Sequence, residues 1–200
     1  MVKACIISFT GLNTDGTDST RILKEMVSLA KSGYDVNAIG LKITPDLFED
    51  ETYEKVTIKR VEPSFGFDRN IQQKHGRGDI LSSLKRLYTL VFQNTIATTI
   101  TLIRASRKEE ADVYHCFGIY SLIPGFILKI FIRKRVIYDG VEAPHQQIRN
   151  IPSLGIFAKP LARLVGALEL GMASRMDYIL TLPSVNNEYL NRKIMQDTFV

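Results

Sequence analysis

The stretch Lys3-Ala4-Cys5-Ile6-Ile7-Ser8-Phe9, with the polar loop, amphipathic segment and second apolar run that follow it as far as Leu41, decides the fold class. The first run is continuously apolar rather than alternating, so both faces of that strand need cover, as in a parallel sheet. The loop from Thr10 to Thr20 carries Gly11, Gly16, Asp15, Asp18 and several hydroxyls. Asp18 or Ser19 is placed to cap a helix that begins near Thr20. The apolar stripe of that helix is Ile22, Leu23, Met26, Val27, Leu29 and Ala30, with Lys24, Glu25 and Lys31 turned outward. Gly33 stops it, and Tyr34 to Leu41 returns as a second strand. Strand, helix and strand in so short a span form a βαβ unit, whose crossover is expected to be right-handed.

Beyond this unit, Tyr53 to Val61 sets Val56, Ile58 and Val61 against Lys55, Thr57, Lys59 and Arg60. That alternation predicts a third strand near a sheet edge. Glu62 to Gly78 is polar and aperiodic and reads as a mobile loop. A long helix is expected over about 79–106; its uncharged part, Leu87 to Ile103, reads as largely buried rather than membrane-spanning. Strands at Asp112 to Cys116, Arg135 to Tyr138 and Tyr178 to Leu182 then alternate with helices at Leu122 to Ile132, Phe157 to Ser174 and Val185 to Gln196. Asp139 to about Leu154 is left as a loop. Strands interleaved with helices predict a single α/β domain over residues 1–200, with a doubly wound, mostly parallel sheet.

Composition excludes several classes. Hydrophobic residues at 45% against 24% charged, with seven prolines, describe a globular chain and not a disordered one. The apolar start is too short for a signal peptide or a transmembrane helix. Cys5 and Cys116 fall inside apolar strands and read as buried free thiols, which suits a reducing, cytoplasmic setting. Net charge is +1 for residues 1–100 and +4 for residues 101–200. Much of the excess lies in Lys129, Arg133, Lys134 and Arg135, which read as a solvated helix end. Beside the apolar stretch Ile119 to Ile132, the rival reading is a basic, apolar edge for peripheral membrane contact at the inner face of the membrane. Zinc spacing, an aromatic RNA-binding signature and a long basic tract are all missing, so nucleic acid is not an expected partner.

In an open parallel sheet the loops leaving the strand ends gather at the topological switch point and carry the ligand site. Three loops qualify. Thr10 to Ser19 has glycines for close backbone approach and leads into a helix N-terminus suited to an anionic or hydroxylated ligand. It lacks the G-x-G-x-x-G spacing and the Gly-Lys-Ser/Thr ending, so neither dinucleotide nor P-loop binding is supported. His115, at the end of a strand, is placed either for acid–base work or to brace backbone. Asp139-Gly140-Val141-Glu142-Ala143-Pro144-His145 puts two carboxylates and a histidine just after another strand. The histidines show no metal-ligand spacing, and no metal or cofactor is expected. A small hydrolase or reductase would need G-x-S-x-G or G-x-G-x-x-G, which are missing.

These same residues resemble the N-terminal half of a group-1 glycosyltransferase, the retaining GT-B superfamily with two facing Rossmann-like domains. Arg21 through Val36, ending Leu29-Ala30-Lys31-Ser32-Gly33-Tyr34-Asp35-Val36, is similar to the family's helix followed by L-x-x-x-G-H-x-V. Ala111-Asp112-Val113-Tyr114-His115 resembles its (P/A)-D-(V/I)-(V/Y)-H, and Val136-Ile137-Tyr138-Asp139-Gly140-Val141-Glu142 its V-x-Y-D-x-H-E. Met176-Asp177-Tyr178-Ile179-Leu180-Thr181-Leu182-Pro183-Ser184 is like A-D-x-(V/I)-(I/L)-x-x-S. Order and spacing agree across nearly all of the chain. Two positions depart: Phe117 stands where the family commonly has a second histidine, and Val141 replaces the histidine of D-x-H-E.

The resemblance implies transfer of a sugar from a nucleotide-diphosphate sugar to an acceptor hydroxyl of a sugar or lipid-linked acceptor, in glycan biosynthesis. It implies that residues 1–200 are the acceptor-side domain and that the donor-binding domain lies outside this chain. On that reading His115 and Glu142 are the catalytic candidates, and Gly11, Asp15, Gly16, Asp18, Ser19, Asp139 and His145 shape the acceptor site. The alternative is a non-catalytic binding or membrane-recruitment subunit that serves a separate glycosyltransferase chain.

Overall fold

A computed structural model of the chain describes residues 1–14, 20–63, 95–140 and 144–181. The expected cap at Asp18 or Ser19, residues 64–94 of the polar loop and long helix, and the expected final helix lie outside these residues. The elements run β1 (Lys3–Ser8), α1 (Thr20–Lys31), β2 (Asp35–Leu41), β3 (Asp50–Tyr53), β4 (Val56–Val61), α2 (Thr95–Lys108) and β5 (Val113–Phe117). They continue α3 (Gly118–Ile132), β6 (Arg135–Gly140), α4 (Pro144–Arg149), a 3₁₀ segment (Pro152–Phe157), α5 (Ala158–Ala173) and β7 (Tyr178–Thr181).

The strands form one sheet in the order β3-β4-β2-β1-β5-β6-β7, parallel except where β3 meets β4. The sheet is mostly parallel, with helices on both faces, and doubly wound as expected. β1 lies at its middle, with five of its six residues buried. Leu23 and Met26 of α1 cover one face together with Ile6, Val36, Ala38, Val56, Ile58 and Phe117. The opposite face packs Cys5, Ile7, Tyr114, Cys116 and Tyr138 against Leu102 of α2, Leu122 and Leu128 of α3 and Ala173 of α5. Both cysteines are free and buried. Gly125 is what lets α3 lie so close: a Cβ there would collide with Cys116 Sγ and stand 3.2 Å from Val136 Cγ1.

Four expectations are corrected. Tyr53 to Val61 is not one strand: Glu54 and Lys55 both take positive φ, 43° and 70°, and turn β3 back antiparallel onto β4. That two-residue hairpin needs left-handed backbone at both positions, which Asn-Gly or Asp-Gly advertises and Glu-Lys does not. Within β4 the buried residues are Val56, Ile58 and Arg60, while Val61 shares the opposite face with Thr57 and Lys59. Finally, the stretch after Asp139 is not all loop; it contains α4 and the 3₁₀ segment. α3 also starts earlier than expected, directly at the end of β5, with Pro124 inside it.

The basic run is largely engaged or solvated. Lys129 pairs with Asp177, Lys134 Nζ donates to the Ala111 carbonyl at 3.0 Å, and Arg133 caps α3 in left-handed conformation. No described helix is long and apolar enough to cross a membrane.

Candidate functional site

The chain leaves β1 toward β2 and β4, whereas β5 leads away to β6 and β7, so the switch point lies between β1 and β5. Ser8 and Phe117 pair in register there, and Phe117 pairs in turn with Asp139 of β6. Side chains two apart on a strand share a face. Phe117 and His115 therefore project to the α1 side, together with Asp139. At this point α3 begins: Gly118 takes φ +73°, and the helix has no side-chain cap, since its N-cap is Phe117. Its first-turn N–H groups are thus left for water or a ligand.

Arg21, in the first turn of α1, ties this face together. Its Nη2 donates to Asp139 Oδ2 at 2.6 Å and its Nε to Glu25 Oε1 at 2.9 Å. Asp139 is fully buried, so burial pushes its pKa up to about 6; Arg21 opposes the rise and Glu25 reinforces it. His115 is 8% exposed and stacks on Phe117 with ring centroids 4.3 Å apart. Burial first, and then the Arg21 guanidinium, push the imidazole down to about 4, so it is neutral at physiological pH. Of the buried polar atoms without a hydrogen-bond partner among the described residues, three converge here: His115 Nε2, Asp139 Oδ1 and Arg21 Nη1. Buried polar groups are seldom left this way without a functional reason or a bound partner. One atom each from Glu25, His115 and Asp139 also lie within 4.8 Å of one another, close enough to hold a cation. Arg21 already bridges the two carboxylates there and supplies the positive charge, so these residues present no open metal position.

The loop after β1 is fixed from below by Arg60, whose side chain is wholly buried. Its Nε donates to the Gly11 carbonyl at 2.7 Å, its Nη2 to the Leu12 carbonyl at 2.7 Å and to Glu51 Oε2 at 2.7 Å, and its Nη1 to the Phe48 carbonyl at 3.0 Å. Leu12 takes φ +48° with its side chain buried in the α1-side core, a strained conformation that such a clamp sustains. Gly11 is buried and packs on Asn13 and Ile43. Ser8 and Thr10 share a hydroxyl–hydroxyl hydrogen bond of 2.8 Å at the mouth of the loop.

Of the residues singled out in the sequence, the structure brings His115 and Asp139 together. Gly11 is held by Arg60 through its carbonyl, and His145 sits on α4 against α5, near Gly166. Asp15, Gly16, Asp18, Ser19 and Glu142 lie outside the described residues. Sequence reasoning missed Arg21, Glu25 and Arg60. The i, i+4 spacing of Arg21 and Glu25 in a first helical turn was a usable signal, and so was the parity of Arg60 with Val56 and Ile58.

No protein-family model matches the sequence, and no curated protein matches it. Solved structures do. A sucrose-phosphate synthase from Thermosynechococcus elongatus superposes with a TM-score of 0.66 over 96% of this chain, at 12% identity. The chain spans a little under half of that protein, 45% of its length. A shorter sucrose-phosphate synthase chain from the same organism is matched over 96% of its length and 97% of this one, with a TM-score of 0.50 and 11% identity. UDP-GlcNAc 2-epimerase from Methanocaldococcus jannaschii matches more loosely, at a TM-score of 0.49 and 13% identity over 98% of this chain and 43% of that one. At these identities the likeness establishes the fold, a Rossmann-like domain of GT-B type.

Proposed function

We propose that this chain is the acceptor-side domain of a nucleotide-sugar-dependent glycosyltransferase of GT-B architecture. The observation that carries the reading is the buried, unpartnered Nε2 of His115, beside the Arg21–Asp139 pair at the switch point of the sheet. A neutral imidazole so placed accepts a hydrogen bond from an acceptor hydroxyl and takes its proton as the sugar is transferred. Asp139 and Arg21 hold the wall beside it, and the uncapped start of α3 offers N–H groups to the acceptor's oxygens or phosphate. Glu142 and the loop of Asp15, Gly16, Asp18 and Ser19 complete the acceptor side. The likeness to one part of a sucrose-phosphate synthase supports a second, donor-binding domain facing this one, since a single wall neither surrounds a transferring sugar nor excludes water.

The test is an NMR titration of the chain, following its three histidines. Sugars and sugar phosphates should shift the His115 ring signals, and His115→Gln should abolish the response. A nucleoside diphosphate that perturbs His115 as strongly as any sugar would make this the donor side. No response to any sugar would remove the acceptor assignment. In the assembled enzyme, Glu142→Ala should lower turnover while unfolding stays cooperative; unchanged kinetics would take Glu142 out of the site.

A further inference from the structure

A cationic recess lies where α4 and α5 face each other, and no residue of the switch-point cluster lines it. It has a volume of about 440 Å³ and is lined by His145 and Arg149 of α4 and by Lys159, Ala162, Arg163 and Gly166 of α5. The four α5 residues are spaced i, i+3, i+4 and i+7, so they make one face of that helix. Ala162 and Gly166 run along the middle of this face, with Lys159 and Arg163 beside them. Small side chains there leave space that a leucine would fill. A Cβ at Gly166 would already stand 3.5 Å from His145 Cβ.

The charge at this recess is unbalanced. Among the described residues, no carboxylate pairs with Arg149, Lys159 or Arg163. Residues 144–176 contain four Lys or Arg and a single acidic residue, Glu169, which is buried and accepts from Tyr138 Oη at 2.7 Å. By contrast, Lys3 and Lys59 share Glu109, and Lys42 meets Glu49 and Glu62. Three unpaired cations around one recess repel one another, and a bound anion of more than one charge relieves that repulsion. Guanidinium forks pair with phosphate oxygens two at a time, and the lysine adds a point charge. The volume falls within the range of small-molecule sites, about 300–1,000 Å³. No Phe, Tyr or Trp is among the described lining residues, so the recess suits sugar hydroxyls better than a nucleobase.

We propose that the recess between α4 and α5 binds a small soluble phosphorylated sugar or polyol, with Arg149, Lys159 and Arg163 gripping its phosphate. His145 completes the site as a partner for a hydroxyl or a phosphate oxygen. Burial, and then Arg149, hold its imidazole below the usual pKa, so it is neutral at pH 7. The charged groups around it are Arg149 on α4 and Lys159 and Arg163 on α5, and a bound dianion offsets all three. The site shares no residue with the His115 cluster or with the basic end of α3, where Lys129 and Lys134 are already engaged. The proposal stands whether or not the chain is part of a glycosyltransferase.

An NMR titration of the chain with glucose 6-phosphate tests it, read on the histidine ring signals. The phosphate ester should shift His145 and raise the midpoint of its titration, whereas glucose should leave both unchanged. Inorganic phosphate should compete with the ester. Lys159→Gln with Arg163→Gln should weaken binding at least tenfold, because two charge-assisted contacts are lost. Arg133→Gln with Arg135→Gln changes the net charge equally and should leave binding unchanged. All four side chains are exposed, and circular dichroism checks that the fold is kept. No His145 response at low salt, or a response of His115 alone, would overturn the proposal. Equal weakening by the Arg133/Arg135 pair would leave net charge as the only cause and overturn it too. Uridine monophosphate that binds more tightly than the sugar ester would show that a base is recognised, which refutes the assignment. Phosphatidylglycerol vesicles that outcompete the ester would give the phosphate to a lipid headgroup and refute it equally.

Discussion

Replacing Arg21 by Met keeps the aliphatic length of the side chain and removes the cation that Asp139 leans on. The buried carboxylate can respond only by taking up a proton, which sets a ceiling on the damage. With an ordinary pKa of 3.8 unfolded and about 6 folded, burying Asp139 costs about 3 kcal/mol at pH 7.5, at about 1.4 kcal/mol per pKa unit. Without Arg21 the folded pKa rises further. Keeping the group fully protonated at pH 7.5 would cost about 5 kcal/mol against the ionised unfolded chain. The Asp139 part of the loss is therefore at most about 2 kcal/mol at pH 7.5, and it vanishes near pH 5, where Asp139 is already protonated in the wild type. A folded-state pKa raised this way favours the fold at low pH and withdraws that favour as pH climbs through 6. His115 pushes in the same direction, because Arg21 also holds its imidazole down and losing Arg21 eases the folded state in acid. Urea unfolding of Arg21→Met and wild type at pH 7.5 and pH 5 reads the difference. The Asp139 part of the loss should grow by up to about 2 kcal/mol between the two pH values, and Asp139→Asn should remove that part, leaving the His115 share. A loss of the same size at both pH values would refute the reasoning, because it would mean that Arg21 acts through packing and not through the Asp139 charge.

Arg60→Met should destabilise the fold by about 3–5 kcal/mol, seen as a lower urea midpoint, because it strands the Gly11, Leu12 and Phe48 carbonyls and Glu51. Arg60→Lys should recover only part of this, since an ammonium lacks the guanidinium fork. Tyr138→Phe should cost about 1–3 kcal/mol at pH 7 by leaving Glu169 buried without its donor. Burial raises the Glu169 pKa and the tyrosine hydrogen bond opposes that rise, so the loss should shrink in acid; pairing the change with Glu169→Leu should restore most of the stability.

The site was partly legible beforehand. His115 and Asp139 stand out because a titratable residue at the end of a buried strand is unusual among apolar neighbours. Their juxtaposition is not in the sequence, since it depends on β5 and β6 pairing so that Phe117 sits beside Asp139. Arg21 and Glu25 read as solvent-facing from helical periodicity alone. Their inward role appears only once the first turn of α1 is set above β6. Arg60 misled for a different reason. Charge makes an arginine look exposed, and only the strand parity with Val56 and Ile58 shows that it points inward toward waiting carbonyls.

By itself the sequence determined the layered α/β class, because continuous apolar runs demand cover on both faces and helical stripes are there to provide it. It also placed the core strands β1, β2, β5 and β6, whose apolar character is set locally. Tertiary structure decided the hairpin at Glu54 and Lys55, the strand order around the β1/β5 switch point and the Arg21–Asp139 contact. Each of these rests on contacts between residues far apart in the chain or on backbone angles that those contacts impose, and local periodicity carries no record of either.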